Sequence, residues 1–217
     1  MNNSPLNPRL IDKELLEDWR RGDVSSGQAL FQRYYDMVER FFMNKVTTHV
    51  RDLVQQTFIA CVESKERIRE GAKFRSYLFA VAHNVLREYL RKKRRSPNFI
   101  DWDAVSVQDV APGPSTLLTR HREQELLLEA LRAIPLKYQL LLELHYWEQM
   151  SSTEIAETLG LPVGTVKSRM RLARGCMLAK LRELASSPKL MRSTVADLDK
   201  WVNECRACMM ESSPNPD

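Results

Sequence analysis

The chain has 217 residues, 43% of them hydrophobic and 28% charged, with a formal net charge of +5. That length gives room for one or two domains with cores of their own, and the balance is that of a soluble globular protein that admits a polyanionic partner. Four scattered cysteines (Cys61, Cys176, Cys205, Cys208) exclude a disulfide framework, and no apolar run reaches the ~18–20 residues of a membrane span. The polar start MNNSPLNPRLIDKELLEDW carries no signal peptide, so a cytoplasmic location is expected. Only 7 glycines and no long alternating apolar pattern predict an all-α protein.

In chain order, LIDKELLEDWR (10–20) predicts a short amphipathic helix. Ser25 and Gln28 have capping spacing for a second helix from Gln28 to Asn44, with Leu30, Phe31, Tyr34, Val38, Phe41 and Phe42 along one side. VRDLVQQTFIACVESKERI predicts a third, with Leu53, Val54, Phe58, Cys61 and Val62 inward and Asp52, Gln55, Gln56, Ala60 and Glu63 outward. Glu70–Lys73 breaks the pattern and reads as a loop. The fourth helix, Phe74–Arg95, is apolar and aromatic at first and ends in the cations Arg91, Lys92, Lys93, Arg94 and Arg95. Such a run suits a helix C-terminus. Aromatics beside a basic strip also suit unpaired DNA, with rings stacking on bases and cations following phosphates. His83 reads as a helix-face residue, since no partner cluster accompanies it.

Residues 97–120 are acidic, carry Pro and Gly, and lack periodicity, which predicts a flexible linker between two small helical domains, 10–96 and 121–186. HREQELLLEALRAI and LKYQLLLELHYWEQM, separated by Pro135, predict two helices whose leucine runs and Trp147 fill a core. Ser151 and Glu154 have the spacing of a capping box, and Gly160 closes that helix in the left-handed conformation glycine takes without strain. Pro162 suits the first turn of the next helix. There Val166, Met170, Ala173 and Met177 share one side at ~100° per residue, while Gly164, Ser168, Arg171 and Gly175 fall opposite, flanked by Lys167 and Arg174. From Thr165 to Arg182 there are six basic residues and no acid. A helix-turn-helix presents its second helix to the major groove, where small residues permit close approach and Arg and Lys contact guanine and phosphate. The candidates are Thr165, Lys167, Ser168, Arg171 and Arg174.

Taken together, LFQRYYDMVERFF, DLVQQTF, FRSYLFAVAHNVLREYLRKKRR and LKYQLLLELHYWEQMSSTEIAETLGLPVGTVKSRMRLAR stand in the order found in bacterial extracytoplasmic-function (ECF) sigma factors, and over residues 12–184 the chain resembles that family. The resemblance implies two promoter grips. Lys167, Ser168, Arg171 and Arg174 would read the minus-thirty-five element as duplex. Lys73, Phe74, Tyr77, Asn84, Arg87 and Arg91 would lie along the melted minus-ten strand, with the loop Glu70–Lys73 cupping an extruded base. It implies that Asp52, Gln55 and Gln56 bind the clamp helices of RNA polymerase core, that the flap is a further contact, that the linker threads the RNA exit region, and that an anti-sigma factor is an eligible partner. His49-Val50-Arg51 and Gln56 depart from the family's acidic residues there, and Ile134 departs from its leucine before Pro135. No cofactor is implied. With no catalytic set, glycine-rich phosphate loop or four-ligand metal cluster in view, the chain is read as no enzyme.

Residues 187–217 extend past the family's minimal body. Leu190, Val195, Leu198, Trp201, Val202, Cys205 and Met209 predict an amphipathic C-terminal helix with a partner face, expected to regulate by packing on one DNA-binding domain. Cys205-Arg206-Ala207-Cys208 is a C-x-x-C and offers two of the four ligands of a closed zinc site; Trp201 stands where zinc-binding anti-sigma partners carry histidine. A docking helix with incidental cysteines, a redox or metal sensor acting through Cys205 and Cys208, and metal sharing between chains all remain open. A stand-alone helix-turn-helix repressor or activator is the rival reading, and it leaves the aromatic, basic first domain unexplained.

Overall fold

A computed structural model describes residues 8–68, 74–93, 106–107, 122–184 and 198–211. The helices are α1 (Pro8–Arg20), α2 (Val24–Met43), α3 (Val50–Glu63), α4 (Phe74–Lys93), α5 (Arg122–Ala133), α6 (Leu136–Tyr146), α7 (Ser152–Leu159), α8 (Val163–Leu184) and α9 (Leu198–Glu211), with a 3-10 turn at Lys65–Arg67. No strand occurs among the described residues, and none of their helices is long and apolar enough to cross a membrane. Contacts divide the chain into two units, 1–42 with 49–89, and 43–48 with 90–217. The loop 70–73, Arg94, Arg95, Leu190, Val195, most of the linker and the side chains of Trp201, Cys208 and Met209 lie outside the described residues.

The first unit is built on aromatic rings. Trp19 of α1 meets Phe31 of α2 edge-on at 5.3 Å and Phe74 of α4 at 6.5 Å, and Tyr34 meets Phe74 at 5.5 Å. Rings in edge-to-face contact add to the gain from burial. The Tyr34 hydroxyl donates to Asp12, which also accepts from Arg33 Nε at 2.9 Å, and burial raises the Tyr34 pKa above its ordinary range. Helix α2 begins earlier than its predicted start at Gln28. Its cap is Asp23, whose carboxylate accepts from the Ser25 amide at 3.0 Å and from the Ser25 and Ser26 hydroxyls at 2.6 and 2.7 Å. These bonds, the Ser25 hydroxyl foremost, hold the Asp23 carboxyl below its ordinary value. Asp23 wins over Ser25 because a charged acceptor bonds more strongly than a hydroxyl.

Helix α3 ends at Glu63, and the predicted continuation through Ile68 becomes the 3-10 turn. Leu53, Val54 and Cys61 are buried as expected, but Val62 is 48% exposed and Thr57 takes an inward place, its hydroxyl donating to the Leu53 carbonyl at 2.8 Å. Burial pushes the Cys61 thiol up to about 12.

In the second unit α6 is the hub. It is buried nearly all round, including Leu136, Leu140, Leu141, Leu142 and Leu144, with α8 and α7 packed against it. Such a helix must find partners for its own polar residues. Glu143 accepts from Gln139 Nε2 at 2.9 Å, from Asn44 Nδ2 at 3.1 Å and from the Lys45 ammonium, and Arg132 donates to the Asn44 carbonyl at 2.7 Å. Lys45 is fully buried, and desolvation lowers its pKa against the pull of Glu143. Trp147, expected in the core, is half-buried where α6 ends. Within the linker, expected to be flexible, Ser106 pairs with Pro135 and Val107 is 1% exposed, so at this point the chain is packed rather than free.

Three outcomes follow. A Cβ added at Gly27 would stand 2.5 Å from Trp19 Cδ1, inside a ring cluster with no slack. Gly27→Ala is therefore expected to cost about 1–3 kcal/mol in guanidinium unfolding, as overpacking does. Glu143→Leu leaves the Lys45 ammonium buried without its counter-charge. It should cost about 3 kcal/mol, and Lys45→Met added to it should recover most of that loss in the same measurement. In the native protein at pH 8, Cys61 should resist iodoacetamide until denaturant is added, as mass spectrometry of its peptide would show.

Candidate nucleic-acid interface

The turn that aims α8 is set locally. The Ser151 hydroxyl accepts from the Glu154 amide at 3.3 Å, and the Glu154 carboxylate accepts from the Ser151 amide at 2.9 Å, which completes the predicted capping box. Gly160 ends α7 at φ +65, the left-handed region glycine enters without a Cβ penalty. Pro162 stands just before α8 rather than inside it, and its carbonyl accepts the Val166 amide at 3.1 Å. The turn is therefore fixed by three local devices before any packing is considered.

Packing then sets the rotation of α8. Val166, Met170, Ala173, Met177 and Leu181 are all buried, on the face predicted to be inward. Lys167, Ser168, Arg171 and Gly175 are consequently exposed, and Gly164 with them. A Cβ at Gly164 or Gly175 would meet nothing within 4 Å, so the fold itself does not need glycine there. Thr165 is half-buried, and its carbonyl accepts the Ser168 hydroxyl at 3.0 Å. Leu172, 50% exposed beside Arg171, is an apolar contribution to this face that charge counting overlooked. Arg174 differs from its neighbours. It is half-buried, its Nε donates to the Tyr146 hydroxyl at 3.1 Å, and it lies 3.3 Å from Asp199 Oδ1.

On α4, Asn84, Arg87 and Arg91 are exposed, with half-buried Tyr77 on the same side at heptad spacing from Asn84. The Tyr77 hydroxyl is bonded to Ser64 at the end of α3, which holds the ring in place. Phe74 belongs elsewhere. At 2% exposure, between Trp19 and Tyr34, it is a core ring and presents no face for a base, which corrects its expected place along the strand. Its spacing from Tyr77 gave the same helix face, but the aromatic core of α1 and α2 claims the first turn of α4. Lys73 lies outside the described residues.

The outer side of α3 carries Asp52, Gln55 and Gln56, all exposed, with Asp52 Oδ2 3.2 Å from His49 Nδ1. Sequence reasoning missed what stands beside them. Ile59 and Val62 are each 48% exposed, and Tyr35 of α2, 40% exposed, stacks on Phe58 at 6.3 Å with planes 9° apart. Ile59 could have been found, since it sits four residues after Gln55 and seven after Asp52 on one helix face. Among the described residues, no three His, Cys, Asp or Glu side chains are grouped to hold a metal ion; Cys205 is buried on α9.

Comparison with known proteins bears on both units. Residues 30–96 match Sigma-70 region 2, and residues 124–177 match Sigma-70 region 4. The first match contains α3 and α4, the second α6, α7 and α8 as far as Met177. ECF RNA polymerase sigma-E factors are similar along most of their length. That of Haemophilus influenzae is 28% identical over 186 residues, 81% of this chain and 98% of that protein. That of Escherichia coli K12 is 26% identical over 188 residues, 82% of this chain and 98% of that protein. A solved structure, CnrH in complex with the cytosolic domain of CnrY, shares the fold with a TM-score of 0.59 and 22% identity, over 81% of this chain and 99% of that one. Two family regions in order, and relatives matched almost end to end, carry one conclusion: the chain belongs to the ECF sigma factors of the sigma-70 family.

Proposed function

We propose that this chain binds RNA polymerase core and directs it to promoters, gripping DNA with both units and making or breaking no bonds itself. One observation carries the reading. The cations of α8 face outward along a helix whose opposite face is locked in the core, behind a capped turn that fits the major groove. In this reading Lys167, Ser168 and Arg171 meet the minus-thirty-five element as duplex, with Arg174 at the far end of the row. Tyr77, Asn84, Arg87 and Arg91 follow the melted minus-ten strand, with Lys73 at its head. Ring and cation together suit an unpaired strand better than a duplex, since stacking needs an open base. Asp52, Gln55 and Gln56, with Ile59 and Val62 beside them, form the surface for the polymerase clamp helices. An apolar centre with a polar rim is the composition of a protein interface. The flap of the polymerase and an anti-sigma factor are further partners on this reading.

The test is run-off transcription from a library of promoters with purified polymerase core. Core alone should give no specific start, and core with this protein should. A protein that binds duplex DNA but never starts transcription with core would be a repressor or activator, and the reading would fall. Arg171→Ala is expected to weaken binding to a matched site by about 1–3 kcal/mol if it contacts a base. If it contacts a phosphate instead, the loss should be uniform across sequences, with a salt slope shallower by about 1. Ile59→Asp should reduce affinity for polymerase core while leaving duplex binding unchanged, as core pull-down and fluorescence anisotropy would separately show.

A further inference from the structure

Helix α9 is held to the second unit by apolar side chains, and its first turn touches the cationic helix. Leu198, Val202 and Cys205 recur on one face and are 8%, 2% and 5% exposed, with α5 and α6 as neighbours. That register brings Asp199 to Tyr146, at the end of α6, and to Arg174 of α8. The Tyr146 hydroxyl donates to Asp199 Oδ1, and the same oxygen lies 3.3 Å from Arg174 Nε. Arg174 Nε in turn donates to the Tyr146 hydroxyl at 3.1 Å, and its guanidinium carbon stands 5.9 Å from the centre of the Tyr146 ring. Burial, reinforced by the bond to Asp199, pushes the Tyr146 hydroxyl up to about 12, so it remains a donor at neutral pH.

Arg174 follows Arg171 by three residues and Lys167 by seven, so it continues the outward cationic row. It is also the member of that row already engaged by a carboxylate of its own chain. We propose that α9 is an intrachain competitor of DNA, with Asp199 holding Arg174 where a phosphate would otherwise bind. The proposal rests on reading α8 as the DNA-contacting helix. A phosphate approaching Arg174 meets the Asp199 charge. Binding then either forgoes that contact or displaces the first turn of α9. A half-exposed ion pair is weak by itself, and the apolar residues behind it hold it in place. The device is therefore graded: it lowers DNA affinity a few-fold and does not abolish it. Whatever draws α9 away from Leu198, Val202 and Cys205 would raise affinity by the same amount, as linkage requires.

The experiment uses the full chain and a fluorescein-labelled random-sequence duplex at low salt, without polymerase. Asp199→Asn should bind about 3-fold tighter than wild type, the size expected for one partly exposed ion pair. Glu204→Gln removes an equal charge from an exposed site of the same helix, its side chain 62% exposed, and should change nothing. In an Arg174→Ala background, Asp199→Asn should give no gain. The competitor is overturned if Asp199→Asn binds as wild type does, if Glu204→Gln reproduces its gain, or if the gain survives Arg174→Ala. Arg171→Ala separates the two levels. If it weakens binding while Asp199→Asn does nothing, only the competitor falls; if it has no effect, the reading of α8 falls and takes the competitor with it.

Discussion

The second unit depends on the burial of one row of side chains, Val166, Met170, Ala173, Met177 and Leu181, between α8 and the helices beneath it. Each large member of that row contributes on the order of 1.5–3 kcal/mol when fully buried. Crowding like charges on the opposite face costs far less, because water and salt screen exposed charges over about 10 Å. The apolar row therefore decides the rotation of the helix, and Lys167, Ser168 and Arg171 face outward as a consequence. The same argument makes α6 necessary. A helix buried nearly all round gives α8 its floor, and the carboxylate of Glu143 must then find partners inside. Gln139, Lys45 and Asn44 supply them.

What could be read from the sequence was local. The capping box at Ser151 and Glu154, the left-handed Gly160 and the two faces of α8 each depend on residues within a few positions of one another. Spacing is enough to state them. The features that escaped depend on residues distant in sequence. Phe74 went inward because Trp19 and Tyr34 are there to receive it. Lys45 reads as an ordinary polar residue until Glu143, far along the chain, is seen beside it. Asp23 was missed for a different reason: a serine-glutamine pair two residues on matched a capping pattern, and a charged acceptor nearer the true start outcompeted it.

Arg174 shows how one side chain can serve two readings. Spacing alone places it in the row with Lys167 and Arg171, and the contacts place it beside Tyr146 and Asp199. These are not in conflict. A guanidinium has several donors in a planar fork. Its Nε is engaged by the tyrosine and the aspartate, and the guanidinium has further donors besides Nε.

The outer face of α3 bears on the choice between a sigma factor and a self-sufficient duplex reader. A protein that only bound duplex through α8 would need nothing from the first unit. Yet α2 and α3 expose Tyr35, Ile59 and Val62 beside Asp52, Gln55 and Gln56. Single exposed apolar residues are ordinary on protein surfaces, and need no account. Here two of them share one helix with a run of uncharged and acidic polar residues, opposite a core face that is already full. The packing of the first unit leaves Ile59 and Val62 each 48% exposed. A partner that covers them would turn that exposure into binding energy, and a large partner fits better than DNA, whose phosphates Asp52 would repel. On the proposed reading, the acidic and apolar surface of α3 would meet protein and the cationic surface of α8 nucleic acid, and a sigma factor is the kind of molecule that needs both.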